Sequence, residues 1–476
     1  MPASFRLVLA HLLHSSGDGW ARRTGARSMT TVSKTLSLPL RWNPEDPDFW
    51  ASHGRALALR NLGCALPALA LSFAVWMLWS VLVVHLPAAG FRYSTNQLFW
   101  LSALPALCGA TLRVFYGLAV SWVGGRRWTA LSTASLLLPA AGIAQAVQDP
   151  STPYEWMVVL ALLCGLGGAN FASGMAHISA CFPAREQGTA LGLGAGFAHL
   201  GVGLVQWLVP AVIALNLFGL PSQGGGVWLQ NAGFVWLPLI AAASLLAWLG
   251  MDDLPAGGVG MTEQAQLFTR RHSWLMSWLY LGSFGSFIGF AAAYPLLLSR
   301  QFPGLDAALQ LAWLGPLLGA LARPLGGWVA DNHGGARISQ ISFGALALGT
   351  AGVLASLGLH GEQGRAALFV GSFALLFLAA GVANGSIFRM VPLGFLREAA
   401  ARHGSLHEAQ AQGAAALGLC SAIGAYGGFF IPKSFGSAIS LSGGPEAALY
   451  CFLAFYLSCM AICWWFYGRR DAPLSC

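Results

Sequence analysis

Two arginines lie deep inside long apolar segments of the sequence, where a permanent positive charge is costly. Arg113 falls within residues 95–121 and Arg323 within residues 308–330. A guanidinium cannot escape by losing its proton, and at the centre of a membrane it costs about 3 kcal/mol or more. All 17 Asp and Glu residues fall in predicted tails, connections or span ends, so no buried acid is available as a partner. The pair therefore predicts a small anion held between two planar guanidinium forks.

Membrane-spanning helices must position these arginines. The chain has 476 residues, of which 56% are hydrophobic and only 9% charged, and its mean hydropathy is +0.63. Soluble domains carry about 25% charged residues, so the composition excludes a soluble enzyme and a disordered protein. The net charge of +8 is interpreted as a signal of membrane topology rather than of nucleic-acid binding. The predicted surroundings are a lipid bilayer, with no nucleic-acid partner.

The apolar residues gather in runs that are each long enough for a transmembrane helix of about 20 residues. Polar or Gly/Pro-rich stretches separate these runs. The sequence predicts twelve spans: 61–86, 95–121, 128–147, 155–181, 188–217, 228–250, 272–298, 308–330, 338–359, 366–392, 413–437 and 445–467.

The basic residues predict the orientation of these spans. If the N-terminus lies inside, 19 of the 25 Lys and Arg residues fall on the inner side and four on the outer side. This asymmetry places both termini in the cytoplasm of a protein of the inner membrane. The predicted organisation is a cytoplasmic N-terminal tail (1–60), a six-helix bundle (61–250), a cytoplasmic linker (251–271), a second six-helix bundle (272–467) and a cytoplasmic C-terminal tail (468–476).

The two halves of the sequence resemble each other. Gly-Ala-Thr-Leu-Arg at 109–113 matches Gly-Ala-Leu-Ala-Arg at 319–323, and Asn170 matches Asn384, at nearly the same offset. Residues 190–192 match residues 416–418 at a larger offset, and the long polar loop predicted at 397–412 accounts for the additional residues. By this symmetry both arginines face one central cavity, where an anion relieves their mutual repulsion. The alternative is that each arginine binds backbone carbonyls and water.

Twelve spans in two related halves resemble the major facilitator architecture, an all-α membrane fold of two pseudo-symmetric six-helix bundles with a substrate site near the midplane. Residues 331–337 are similar to its inner-loop motif, although the first-half copy has Ser121 where the motif has Asp. The chain further resembles the nitrate/nitrite porter family of that superfamily. The stretches that carry this likeness are 42–47, 109–116, 168–173, 188–203, 279–290, 319–327 and 414–435.

The resemblance implies roles for individual residues. Arg113 and Arg323 would hold the oxygens of the anion, the rings of Phe171 and Phe284 would flank its faces, and Tyr280 would donate a hydroxyl hydrogen bond. Packing in the core or against lipid is the alternative for the two phenylalanines. The implied site also includes Asn170 and His199. The glycines that resemble the family signatures are Gly192, Gly194, Gly196, Gly201, Gly418, Gly424, Gly427 and Gly428.

His199 departs from the pattern of the family, where an amide side chain is usual. Its imidazole can act as a neutral hydrogen-bonding or packing residue, or it can titrate near neutral pH and add charge to the site. The glycine-rich runs around it predict close helix contact, either for sliding between two states or for static packing.

The resemblance and the missing acids together predict a nitrate:nitrite antiporter that works by alternating access. An empty carrier would have to enclose two uncompensated cations, which is unfavourable by several kcal/mol. Proton-coupled nitrate uptake is the alternative within the family, and an anion channel, a nitrate sensor and a membrane-embedded enzyme are weaker rivals. The nine cysteines show no metal-type spacing, so neither a metal nor another cofactor is predicted. We expect the protein to function as a monomer.

Overall fold

The chain is helical wherever the structure describes its regular elements. The computed structural model describes residues 42–223, 226–254, 267–304, 310–401 and 406–469, together with residues 472 and 474. In these ranges the regular elements are α-helices and short π-helical turns, with no β-strand. They belong to one compact unit that starts at Trp42. Within the predicted N-terminal tail, residues 7–13 form an apolar stretch that is too short to span a membrane, and it lies outside the described residues.

The first half of the chain, up to residue 250, supplies the first group of helices. Their bounds are α1 (Arg55–Trp76), α2 (Trp79–His85), α3 (Thr95–Val123), α4 (Gly125–Ala134), α5 (Leu137–Ala146), α6 (Tyr154–Cys181), α7 (Ala184–Ile213), α8 (Asn231–Phe234) and α9 (Trp236–Gly250). A helical turn at Pro47–Phe49 and a π-helical turn at Trp50–Gly54 precede α1.

The second half, from residue 271, repeats this arrangement. Its helices are α10 (Arg271–Tyr280), α11 (Ser286–Gln301), α12 (Leu314–His333), α13 (Gly335–Leu357), α14 (Glu362–Ala401), α15 (Leu406–Ala425), α16 (Gly427–Ser442) and α17 (Glu446–Cys463). A π-helical turn at Leu281–Gly285 joins α10 to α11, and another at Trp464–Gly468 follows α17.

Eleven helical segments among the described residues are long and apolar enough to cross a membrane. Several are built from two consecutive helices, such as α1 with α2 and α15 with α16. The predicted span 308–330 corresponds to α12, which has 20 residues but is less apolar than the others because it carries Arg323, two prolines and several glycines. Twelve helical segments thus occupy the positions of the twelve predicted spans.

Two predicted boundaries differ from the structure. Residues 47–60, expected in the N-terminal tail, are helical and continue directly into the first span. The Trp50 indole donates to a Glu186 carboxylate oxygen at 2.9 Å, and this contact holds the segment against the start of α7. The loop predicted at 397–412 is also largely helical, because α14 continues to Ala401 and α15 begins at Leu406.

Glycines let the arginine-bearing helices approach their neighbours in both halves. A side chain at Gly165 on α6 would overlap the backbone of Gly109 on α3. In the second half a side chain at Gly385 on α14 would overlap the carbonyl of Arg323 on α12. Small residues permit such close helix packing in a membrane. The predicted internal repeat therefore corresponds to equivalent contacts, α3 with α6 and α12 with α14, and these contacts fix the helices that carry the arginines.

Contacts between connections distinguish the two ends of the helical unit. At one end, the Tyr93 hydroxyl donates to the Thr152 carbonyl at 3.2 Å and Arg365 donates to the Gln301 side chain at 3.0 Å. We call this the distal end. At the opposite, proximal end, Asp253 after α9 accepts the Arg126 backbone N–H at 2.9 Å. The two arginines lie along their helices between these ends.

Candidate functional site

Arg113 on α3 is almost fully buried, with 1% of its surface exposed. Its Nε donates to the Gly168 carbonyl on α6 at 3.0 Å, and its Nη1 donates to the Ser421 carbonyl on α15 at 2.7 Å. Its second amino group, Nη2, is buried with no hydrogen-bond partner. The alternative of backbone carbonyl partners is therefore correct for part of this side chain, but one donor nitrogen remains available. The Ser421 contact also joins the two halves of the chain.

Arg323 on α12 is 5% exposed and reaches across to the first half. Its Nη1 lies 3.0 Å from Nδ1 and 3.3 Å from Nε2 of His199 on α7. Its Nη2 is buried without a hydrogen-bond partner, as in Arg113. Its guanidinium carbon lies 4.8 Å from the centre of the Phe388 ring. Among the described residues, neither arginine forms an ion pair with a carboxylate.

The groups around His199 are one carbonyl acceptor and two donors. Its Nδ1 contacts the carbonyl of Ala195, one helical turn earlier, and therefore carries the proton that this acceptor requires. Its Nε2 faces the Nδ2 amide of Asn384 at 3.3 Å and Nη1 of Arg323 at 3.3 Å, and both are donors. A neutral imidazole with its proton on Nδ1 fits the Ala195 and Asn384 contacts. Arg323 Nη1 then donates to Nε2 at 3.3 Å, whereas its 3.0 Å approach to Nδ1 joins two donors and is not a hydrogen bond.

Aromatic rings form a narrow apolar slot beside Arg113. Phe171 on α6 and Phe284 in the π-helical turn are nearly parallel, at 20°, with their ring centres 6.3 Å apart. The Arg113 guanidinium carbon lies 4.9 Å from the Phe171 ring, 5.2 Å from Phe284 and 5.3 Å from Trp76. The structure thus brings together the two predicted phenylalanines. It adds Trp76, which the sequence analysis missed although a tryptophan in mid-span, away from the interface, is an unusual signal.

Tyr280 supplies another unpaired donor to this region. The side chain is 1% exposed, and its hydroxyl lies next to the Arg323 guanidinium without a hydrogen bond of good geometry. Its ring lies 5.4 Å from that of Phe284, and the hydroxyl interacts electrostatically with both Arg323 and Arg113. The predicted donor therefore lies beside both arginines and has one O–H group to offer.

Asn170 does not join the arginine cluster through its amide nitrogen. Its Nδ2 donates to the Ser72 hydroxyl at 2.9 Å and to the Ser132 carbonyl at 3.3 Å, so it ties α6 to α1 and α4. Its counterpart in the repeat, Asn384, contacts His199 instead. The internal repeat matches the two asparagines, so it nominates Asn384 as well as Asn170, although only Asn170 was predicted at the site.

The signature glycines divide into two groups. Side chains at five of them would meet neighbouring atoms closely, and these are Gly194, Gly201, Gly424, Gly427 and Gly428. Gly424 lies against the Tyr280 ring and Gly427 against the backbone of Gly285. The other three have open space where a side chain would lie, so close helix packing does not explain them, and these are Gly192, Gly196 and Gly418.

Comparison with known proteins identifies the family. The Major Facilitator Superfamily model matches residues 65–425. The chain is 46% identical to the nitrate/nitrite transporter NarU of Salmonella typhimurium, over 90% of this chain and 96% of that protein. It is 37% identical to the probable nitrate/nitrite antiporter NarK2 of Thermus thermophilus, over 91% of this chain and 97% of that protein. The chain belongs to the nitrate/nitrite transporter family of the major facilitator superfamily.

A solved structure supports the fold of this family member independently. It is a bacterial homologue of the human lysosomal transporter Spinster, in an inward-facing and occupied conformation. It matches with a TM-score of 0.62 at 12% sequence identity, over 85% of this chain and 95% of that chain. The predicted all-α major facilitator fold is thereby confirmed. The relatives are transporters, so the prediction that this family member is a transporter and not an enzyme is also confirmed.

Proposed function

We propose that this transporter exchanges nitrate for nitrite, with the anion bound between Arg113 and Arg323. The observation that carries this proposal is the pair of buried guanidinium groups, each with an unpaired amino nitrogen and neither with a carboxylate partner among the described residues. The similarity to NarU and NarK2, both named for nitrate and nitrite, gives the class of anion.

The donors and rings suit a small, flat anion. The two Nη2 groups and the Tyr280 hydroxyl together offer hydrogen bonds to the oxygens of the anion. The nearly parallel rings of Phe171 and Phe284 cover its faces. Nitrate and nitrite are planar and weakly hydrated, so an apolar slot with few donors binds them well. Sulfate or phosphate would need more donors and more positive charge.

Exchange rather than one-way transport follows from the charges. Without an anion, the carrier would have to reorient with two enclosed cations, and this costs several kcal/mol. Both arginines also contact the opposite half, through Ser421 and His199, so these contacts must change when the halves move. A bound anion compensates the guanidinium charges during that change. The return step therefore requires an anion, and inward transport of one is coupled to outward transport of another.

The surroundings of His199 favour exchange over proton-coupled uptake. Its Nε2 faces two donors, on Arg323 and Asn384. A proton on Nε2 would place a third donor against them and a positive charge beside a guanidinium. The site therefore works best with a neutral imidazole, which leaves His199 as an acceptor that positions Arg323.

The charge distribution also supports a proposed orientation. The proximal end carries most of the basic residues of the connections, including Arg126, Arg127 and Arg270. By the positive-inside rule, this end and both termini face the cytoplasm, and the distal end faces outward from the inner membrane. We propose that one chain is the functional unit, because the contacts of both arginines come from within it.

Counterflow in liposomes tests this function. Purified protein would be reconstituted into vesicles loaded with nitrite, with nitrate or with neither, and nitrate uptake would be followed at fixed pH and membrane potential. We expect uptake only when an anion is present inside. Equal uptake into vesicles without either anion, increased by a proton gradient, would contradict exchange and favour proton-coupled transport.

A further inference from the structure

The distal end is closed over the arginines by an interface between the two halves. Phe99 and Trp100 near the start of α3 face Phe435 and Phe429 on α16, with ring centres 6.4 and 5.8 Å apart. A side chain at Gly436 would overlap the Phe99 side chain, so the helices are in direct contact. We call these five residues the distal gate. For an anion to enter the site from this end, α3 and α16 must separate.

Lys433 lies on α16 between Phe429 and Phe435 and places a positive charge beside the distal gate. Its Nζ donates to the Asn96 side-chain oxygen on α3 at 3.2 Å and to the Ser437 hydroxyl on its own helix at 2.9 Å. It also lies 4.6 Å from the centre of the Trp100 ring. None of the ion pairs among the described residues includes this lysine. Its charge is therefore stabilised by the neutral amide of Asn96 and the ring of Trp100, both from the opposite half.

We propose that Lys433 is the first anion contact on the distal path. When α3 and α16 separate, the ammonium loses Asn96 and Trp100 and keeps only Ser437. A lysine with unpaired donors at the mouth of a cavity attracts small anions and raises their local concentration. An entering nitrate or nitrite thus replaces the contacts that the opening breaks. This inference rests on the proposed anion exchange and its orientation.

The role of Lys433 is specific to one side of the membrane. An anion that enters from the proximal end reaches Arg113 and Arg323 without crossing the distal gate. Removal of the ammonium should therefore slow capture from the distal side while capture from the proximal side continues. A general defect in folding or in the arginine site would slow both directions equally.

Right-side-out and inside-out membrane vesicles test this asymmetry, with nitrite inside and labelled nitrate outside. Lys433→Gln is expected to lower kcat/KM for nitrate from the distal side about tenfold and to reduce its sensitivity to potassium gluconate. Capture from the proximal side should stay within about twofold of the unmodified protein, because that path does not include the lysine. Arg300→Gln, which removes an exposed distal cation outside the gate, is the matched control and should leave both sides unchanged.

Lys433→Arg keeps the charge and should keep the distal rate, which makes the test independent of whether the Gln variant folds. An equal loss from both sides in Lys433→Gln, no loss from either side, or a Lys433→Arg variant that loses the distal rate would overturn the inference. Absence of nitrate:nitrite exchange in vesicles of the unmodified protein would instead overturn the proposed function itself.

Discussion

At the scale of single residues, an arginine differs from a lysine at a buried anion site in the geometry of its donors. In each guanidinium some nitrogens donate to protein groups and one has no partner. In Arg113, Nε and Nη1 donate to carbonyls and Nη2 has no partner. A lysine has the same charge but cannot hold two backbone carbonyls and an anion in one plane. Charge alone therefore does not account for the site.

Lysine substitutions separate charge from geometry. Arg113→Lys and Arg323→Lys are each expected to weaken nitrate binding by about 2 kcal/mol, or about thirtyfold, because hydrogen bonds to the anion are lost. Tryptophan fluorescence titration or calorimetry on the purified variants would measure this affinity. Arg300→Lys, on an exposed residue, is the control and should bind normally. Near-normal affinity in both site variants would contradict the proposed arginine pair.

His199 offers a second test at this scale. Asn at this position supplies an amide oxygen that can accept from Arg323, so His199→Asn should retain exchange. Its exchange rate should not change between about pH 6 and 8. His199→Ala leaves a buried donor of Arg323 unsatisfied and should lower affinity about tenfold. Exchange rates measured across this pH range for both variants would check the expectation. Complete loss in His199→Asn would show that the imidazole does more than accept a hydrogen bond.

At the scale of helices, close packing decides which glycines matter. Gly427 meets the backbone of Gly285 at the end of the π-helical turn that carries Phe284, whereas Gly418 on α15 has open space around it. Both belong to the same glycine-rich run, and the sequence treats them alike. Only the approach of α16 to this turn distinguishes them.

A valine at each position tests this distinction. Gly427→Val should destabilise the protein by about 2 kcal/mol, because the branched side chain forces the helices apart. Gly418→Val makes the same substitution in the same glycine-rich run without the overlap and serves as the control. Thermal unfolding in detergent would measure both. Equal melting temperatures would show that Gly427 is not held against Gly285 in the folded protein.

At the scale of the whole molecule, the site joins two halves that must move relative to each other. Arg113 contacts the second half, Arg323 contacts the first, and Lys433 contacts Asn96 of the first half at the distal end. Movement of the halves therefore changes the contacts of Arg113, Arg323 and Lys433. The anion compensates the charge of the arginines while their protein contacts change.

Exchange of one monovalent anion for another moves no net charge. Nitrate:nitrite counterflow should therefore be insensitive to a membrane potential set with valinomycin and potassium. Each 100 mV would change the energy of a step that moves one charge by about 2.3 kcal/mol, or nearly fiftyfold in rate. A large potential dependence would indicate that a proton or an unpaired anion moves with the substrate.

The helical class, the order of the spans, the internal repeat and the acid-free arginine pair follow from the order of amino acids alone, because they depend on local apolar length and on composition. The sequence also nominated Phe171, Phe284 and Tyr280 through family resemblance, and the structure brings them beside the arginines. The length of an apolar run and the position of a residue within it depend only on residues adjacent in the chain, so both can be read from the sequence.

The groups that meet across the halves are known from the three-dimensional packing alone. It paired Arg113 with Ser421, Arg323 with His199 and Lys433 with Asn96, and each pair is separated by more than 100 positions in the chain. It also directed the Asn170 amide nitrogen toward α1 and α4 and brought Asn384 to the site instead. Periodicity fixes the face of a helix on which a residue lies, but the packing of all the helices together fixes what that face contacts.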